Sequence, residues 1–375
     1  MNTSPMNTET MRADRRWREL AEAGRLRELY RDGNPAAGLD PVELRALFRQ
    51  LDGEDAVGAT LGICVQATTA LPLLAAAAGK NKRALHPLSV LTDAVLAGRQ
   101  MIGLAATDST PGSDLTALST TVDIEHDRLT LSGSKQWIAN ATYASHLLVL
   151  ARHADGPGFT NFTWVVVPTD SPGVTVETAP VSLFDGSGTG HAAFRQVSLP
   201  LAYLGGTVGR GLIDFAHHIS VERLASAAWG HAMCERVVRD TLACLRQRGD
   251  GPANLWNKDE VRRRIAECLL VTTELGTLID RYADRIADRH DQLAAALVKA
   301  GAARAVEQVL SVAAHLQGAR AFLDGGLQIQ RAQAALWGIG GGTYEVMLST
   351  IADHAERLLT EANPFASAEN ARAAS

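Results

Sequence analysis

The spacing of apolar residues changes twice along this chain, and that double change restricts the architecture more than any single motif does. Residues 15 to about 100 are rich in Ala, Leu, Arg and Glu, and Trp17, Leu20, Leu26 and Leu29 fall close to helical spacing. Asp40-Pro41 opens a further helix, with Asp40 as N-cap, Pro41 at the first position and Glu43 close behind. Residues 56–79 are apolar on nearly every face, which predicts a deeply buried helix. From 103 to about 207 alternation replaces the helical period. Val122 and Ile124 alternate, then Leu129 and Leu131, with a turn at 125–128, so a hairpin is expected. Strands follow at 146–152, 162–168, 174–178 and 192–200. Helices return at about 212–246, 258–289, 292–322 and 343–359.

This order predicts an α+β protein: an N-terminal helical domain (1–102), a central β-barrel (103–207), a C-terminal four-helix bundle (208–362) and a short polar tail (363–375). The net charge of -5 gives no support to nucleic-acid binding. Arg262, Arg263 and Arg264 spread around most of a helix and read as a solvated face with one Arg reaching inward. The cysteines, Cys64, Cys234, Cys244 and Cys268, form no C-x-x-C. They read as reduced, mostly buried thiols, with no metal site expected. The first fifteen residues are polar, and Leu71–Gly79 is too short for a bilayer span, so a cytoplasmic protein without membrane attachment is expected.

Three polar, glycine-containing stretches interrupt the pattern: Thr107-Asp-Ser-Thr-Pro-Gly-Ser-Asp114, Gly133-Ser-Lys-Gln-Trp-Ile-Ala-Asn140 and Gly340-Gly-Gly-Thr-Tyr-Glu345. Each alone reads as a loop. In this order on this layout, they resemble the T-E-P-x-x-G-S-D signature, the G-x-K-x-W-I-T-N signature and the G-T-S-E loop of the acyl-CoA dehydrogenase family. The resemblance runs from about Trp17 to Leu359. It implies bound FAD, and it implies roles for individual residues. Thr107 would meet the flavin's pyrimidine edge, and Gly112 and Ser113 the pyrophosphate. Trp137 would stack beside the ring, with Ile138 and Ala139 lining it near N5. Thr343 and Glu345 would stand near the phosphates at a helix N-terminus. Arg248, His315 and Gly318 would reach the cofactor of a neighbouring subunit, which implies a homotetramer or homodimer.

The family's usual base, a Glu two residues before the loop Thr, is Gly341 here. In the isovaleryl-CoA dehydrogenase branch the base sits instead on the long helix after the β domain, in an L-E-R setting. Val221-Glu222-Arg223-Leu224 stands at the matching place. The resemblance therefore implies Glu222 as the base that removes an α-proton from an acyl thioester, with the backbone N–H of Gly341 at the thioester carbonyl and hydride passing to flavin N5. Arg223 and Ser220 would lie near the substrate, which would be an acyl-CoA or an acyl group on a carrier protein. The electron acceptor would be an electron-transfer flavoprotein or oxygen. Two other readings remain open: a flavin-dependent monooxygenase on the same fold, suggested by Ala139, Gly251 and the missing loop Glu, and a non-catalytic flavoprotein or scaffold. His217 and His218 would either contact substrate or pack their helix, His191 would lie in the β module near the flavin cleft with no role assigned, and Trp229 and Trp337 read as core residues.

Overall fold

The computed structural model describes residues 10–79, 86–108, 115–156, 158–249, 251 and 254–362. The N-terminal region holds α1 (Ala13–Glu22), α2 (Arg25–Leu29), α3 (Pro41–Glu54), α4 (Val57–Val65), α5 (Leu71–Gly79) and α6 (Pro87–Leu96). Asp40 caps α3 as expected, its carboxylate accepting from the N–H groups of Val42 and Glu43 at 2.7 and 3.3 Å. A π turn, Gln66–Ala70, joins α4 and α5 into one apolar rod, Val57–Gly79. By length and composition this rod is able to cross a membrane, which a reading of Leu71–Gly79 alone misses. Most of it lies inside the protein, as its uniform apolar character requires of a core helix.

The rod packs closely because its glycines allow it. A Cβ on Gly58 would stand 2.1 Å from the Asp185 carbonyl oxygen, and one on Gly62 2.4 Å from Oδ1 of Asn140. The Asn140 side chain donates to the Gly62 carbonyl at 2.9 Å. The last residue of the second signature is thereby tied to the helical region.

The middle of the chain forms β1 (Ile102–Ala105), β2 (Thr121–Glu125), β3 (Arg128–Ile138), β4 (His146–Arg152), β5 (Phe162–Pro168), β6 (Val174–Thr178) and β7 (Gly190–Pro200). They make one curled seven-stranded sheet: β5 pairs with β4, β4 with both β1 and β2, and the order continues through β3 and β7 to β6. The β2–β3 hairpin has the expected register, Val122 opposite Leu131 and Ile124 opposite Leu129. The sheet encloses its own core, including Val122, Leu131, Val149, Val167 and Phe194.

The C-terminal region is built on α7 (Gly211–Arg246), α8 (Asp259–Arg289) and α9 (Gln292–Gln317). The fourth place of the expected bundle is filled by shorter helices: α10 (Leu327–Ala334), α11 (Leu336–Ile339), α12 (Tyr344–Ala352) and α13 (Ala355–Ala362). Trp337 fixes this last section against α7. Its buried indole donates to the Ser226 carbonyl at 2.8 Å and packs on Trp229, with ring centroids 4.5 Å apart. Gly230 leaves the room, since a Cβ there would lie 2.8 Å from the indole nitrogen.

Candidate active site

Three elements meet around Glu222: the middle of α7, the π turn of the N-terminal rod, and the loop between α11 and α12. The Thr69 hydroxyl, presented by the π turn, donates to Oε2 of Glu222 at 2.5 Å. Gly341 in the loop has φ 73, and Gly342 has φ 106, conformations that glycine adopts at little cost. A Cβ built on Gly341 would stand 3.8 Å from Oε1 of Glu222 and 3.8 Å from Cε of Lys299. The helix residue thus brings its carboxylate beside the loop position where the family usually carries its base.

Two basic side chains hold this loop. Nε of Arg223 donates to the Gly341 carbonyl at 2.9 Å, and its Nη1 donates to Gln292 at 3.1 Å. Nζ of Lys299 donates to the Trp337 carbonyl at 2.6 Å, just before the loop begins. Some of the Glu222 side chain keeps contact with solvent, yet protein packs densely around it. Burial raises its pKa above the ordinary carboxylate range; the Thr69 hydrogen bond and the charges of Lys299 and Arg223 oppose the rise without cancelling it. A carboxylate in that state is a stronger base than one in water.

On the sheet, β3 ends at Ile138 and delivers Trp137 with φ 56. The indole is 60% exposed, an unusual setting for so apolar a ring. Its only ring neighbour among the described residues is His191, edge-on with centroids 5.0 Å apart, and the Trp137 backbone N–H donates to Nδ1 of His191 at 3.3 Å. Ile138 and Ala139 are buried beside it, and the Gln136 N–H donates to the Thr107 carbonyl at 2.8 Å. A buried ion pair sets this corner. Lys135 faces Asp108 and donates to the Ala106 carbonyl, while Asp108 accepts from the N–H groups of Ser119 and Thr120 at 2.6 and 2.9 Å. Burial acts to raise the Asp108 pKa, but Lys135 and these donors outweigh it and hold the group below its usual value. Gly112 and Ser113 lie outside the described residues.

Thr343 caps α12, its hydroxyl accepting from the Val346 N–H at 3.4 Å, and Glu345 is exposed in the first turn. Arg248, His315 and Gly318 gather at the far end of α9. Nη1 of Arg248 donates to the carbonyls of Leu316 and Gln317 and lies 4.0 Å from where a Gly318 Cβ would stand, and His315 is exposed. Lys299 and His315 are sixteen residues apart on this helix, about 24 Å at 1.5 Å per residue. Ser220, expected near the substrate, is instead buried, and its hydroxyl donates to the His217 carbonyl at 2.6 Å. Its hydroxyl proton is committed to its own helix.

The exposed Trp137 ring offers a flat face on the sheet, and Glu222 stands with Gly341 among the helices. The family model for the acyl-CoA dehydrogenase middle domain matches residues 103–197, and the model for the C-terminal domain of the same family matches residues 209–356. This chain belongs to the acyl-CoA dehydrogenase family. The acyl-[acyl-carrier-protein] dehydrogenase MbtN of Mycobacterium sp. (strain MCS) is 26% identical over 336 residues, 89% of this chain and 84% of that protein. A solved FAD-dependent dehydrogenase superposes with a TM-score of 0.81 at 20% identity, over 95% of this chain and all of that one. The prolyl acyl carrier protein oxidase AnaB superposes with a TM-score of 0.82 at 18% identity, over 92% of this chain and 90% of its own. As a member of the acyl-CoA dehydrogenase family, the chain is an FAD-dependent oxidoreductase acting on CH–CH bonds.

The sequence pointed to Glu222, Arg223, Gly341 and Trp137, and the structure places the first three together. It adds Thr69 and Lys299, which the sequence reading missed. Lys299 had a signal: a single Lys in the otherwise apolar segment Leu293–Ala300. Thr69 had none, because its direction depends on the π turn.

Proposed function

We propose that this enzyme desaturates an acyl thioester between its α and β carbons, with Glu222 removing the α-proton. The observation that supports this most strongly is the Glu222 carboxylate beside Gly341, where a helix residue supplies the acid that the loop lacks. A base on this helix resembles the placement in the isovaleryl-CoA dehydrogenase branch. Bound FAD would accept the hydride that leaves the β-carbon. Gly341 offers its N–H to the thioester carbonyl, where negative charge grows as the α-proton departs. Arg223 and Lys299 keep the loop still, so this donor needs little rearrangement during the reaction. Trp137, with Ile138 and Ala139 behind it, gives the flavin a flat apolar wall. The Glu222 proton is held against the Thr69 hydroxyl once transferred.

The carrier-bound substrates named for MbtN and AnaB support an acyl group delivered on a carrier protein, with acyl-CoA as the other source. Arg248, His315 and Gly318 lie too far along α9 to join the Glu222 loop of their own chain, which supports their use on a neighbour's cofactor in a homotetramer or homodimer.

The test is anaerobic mixing of the FAD-loaded enzyme with acyl-CoA thioesters and with the same acyl groups on a phosphopantetheinylated carrier protein. Flavin bleaching is expected with the thioester, and a Glu222→Gln variant should bleach at least about 100-fold more slowly. A variant with wild-type FAD content and wild-type bleaching rate rules the proposal out. Admitting oxygen or electron-transfer flavoprotein afterwards identifies the acceptor. Oxygen incorporated into the product, rather than a new double bond, selects the monooxygenase reading.

A further inference from the structure

Lys299 is out of character with its helix. Its neighbours on the buried side of α9 are Ala295, Ala296, Val298, Ala302 and Ala303, and Lys299 itself is only 2% exposed. An ammonium withdrawn from water persists only where other groups compensate. Two are in place. Nζ donates to the carbonyl of Trp337, the residue that pins α11 to α7. On the other side, Cε of Lys299 and Oε1 of Glu222 each come within 3.8 Å of the same point, the place of a Cβ on Gly341. One lysine therefore touches the entry of the catalytic loop and faces the carboxylate beside it.

We propose that Lys299 is a positioning residue for the proton abstraction assigned to Glu222, holding the loop entry through Trp337 and supplying positive charge that favours the ionised form of the Glu222 carboxylate. This rests on the reading of Glu222 as the base. The groups that face Glu222 are Arg223 on its own helix, Lys299 from α9, and the Thr69 hydroxyl and Cys64 thiol from the N-terminal rod. Burial pushes the Cys64 thiol up, so it stays neutral. Arg223 is committed to the Gly341 carbonyl and to Gln292. Lys299 is the second cation acting on Glu222, and burial, opposed by Glu222 and Cys64, brings its pKa down to about 8. Burial raises the Glu222 carboxyl and lowers the Lys299 ammonium, and each charge opposes the shift of the other.

The experiment is an infrared titration of the FAD-loaded protein without substrate, following the protonated-carboxyl stretch that disappears in Glu222→Gln. In Lys299→Met the midpoint of that band should rise by at least about one pH unit, a tenfold shift in the proton equilibrium, and Lys299→Arg should bring it back toward wild type. The reciprocal measurement needs no change at Lys299. In Glu222→Gln the 13Cε resonance of Lys299 should titrate below the wild-type midpoint, because coupling acts equally in both directions. This arm stands even where Lys299→Met loses FAD. A Lys299→Met protein with a lowered melting temperature but an unmoved carboxyl midpoint, or a Lys299 midpoint indifferent to Glu222→Gln, overturns the proposal. Failure of the base reading looks different: Glu222→Gln would then bleach flavin at the wild-type rate whatever the titrations give.

Discussion

Moving the carboxylate from α7 to the loop, as Glu222→Gly with Gly341→Glu, should restore part of the activity that Glu222→Gly alone removes. The nearest atoms to a Cβ on Gly341, outside its chain neighbours, are at 3.8 Å, so a Cβ enters without a clash. From that Cβ a Glu carboxylate reaches about 3.5 Å with standard bond lengths, far enough to fill the volume that Glu222 vacates. The cost is backbone strain. Gly341 has φ 73, and a side chain in that region costs about 1–2 kcal/mol. Removing the base should lower the rate of flavin reduction by about 10²–10⁴. If that strain falls wholly on the reacting loop, the relocated base returns all but about one order of magnitude. The assay is anaerobic stopped-flow bleaching with the best thioester, normalised to bound FAD. The reasoning fails if the double variant binds FAD normally and reacts no faster than Glu222→Gly.

Thr69→Val keeps the shape at the π turn but removes the donor to Glu222, so the carboxylate's pKa, already raised, should rise further. A hydrogen bond to a charged group is worth about 1.5–3 kcal/mol, so the pH midpoint of flavin reduction should move at least about one unit alkaline. Asp108→Asn strands Lys135 in the core, and breaking a buried pair costs about 3–5 kcal/mol, measurable as lost stability in urea. Asp108 has a depressed folded pKa, so its contribution is present above its unfolded pKa and is lost as pH falls through the folded value. The stability gap between wild type and Asp108→Asn should therefore be full at neutral pH and should close below about pH 4.

Much of this architecture is legible in the residues, for physical reasons. Strands β4, β5 and β6 have the expected bounds, because alternation between two faces and Gly/Pro turns fix a strand locally. Helices α7, α8 and α9 begin and end within one or two residues of expectation, except that α9 gives way to a tight turn at Gly318. The strand β1 was not foreseen: Ile102–Ala105 is four residues long, and only its pairing with β4 makes it a strand. The single helix expected at 343–359 is α12 and α13, and the Thr343 cap and the break at Asp353 depend on local hydrogen bonds rather than on periodicity. In the site, Glu222 was found by what Gly341 lacks, a covalent fact. Thr69 and Lys299 reach it from elements 153 and 77 residues away in sequence, and only tertiary packing brings them there. Ser220 shows the opposite limit: its place beside Glu222 in sequence says nothing about its direction, which its bond to His217 decides.

The most direct measurement is the crystal structure of the enzyme with FAD and a non-reactive acyl thioester analogue. A Glu222 carboxylate oxygen should lie about 3–3.5 Å from the analogue's α-carbon, on the side of the acyl chain away from the flavin. A carboxylate turned from the α-carbon, or an analogue bound with its chain outside the space between Glu222 and the flavin, would contradict the account.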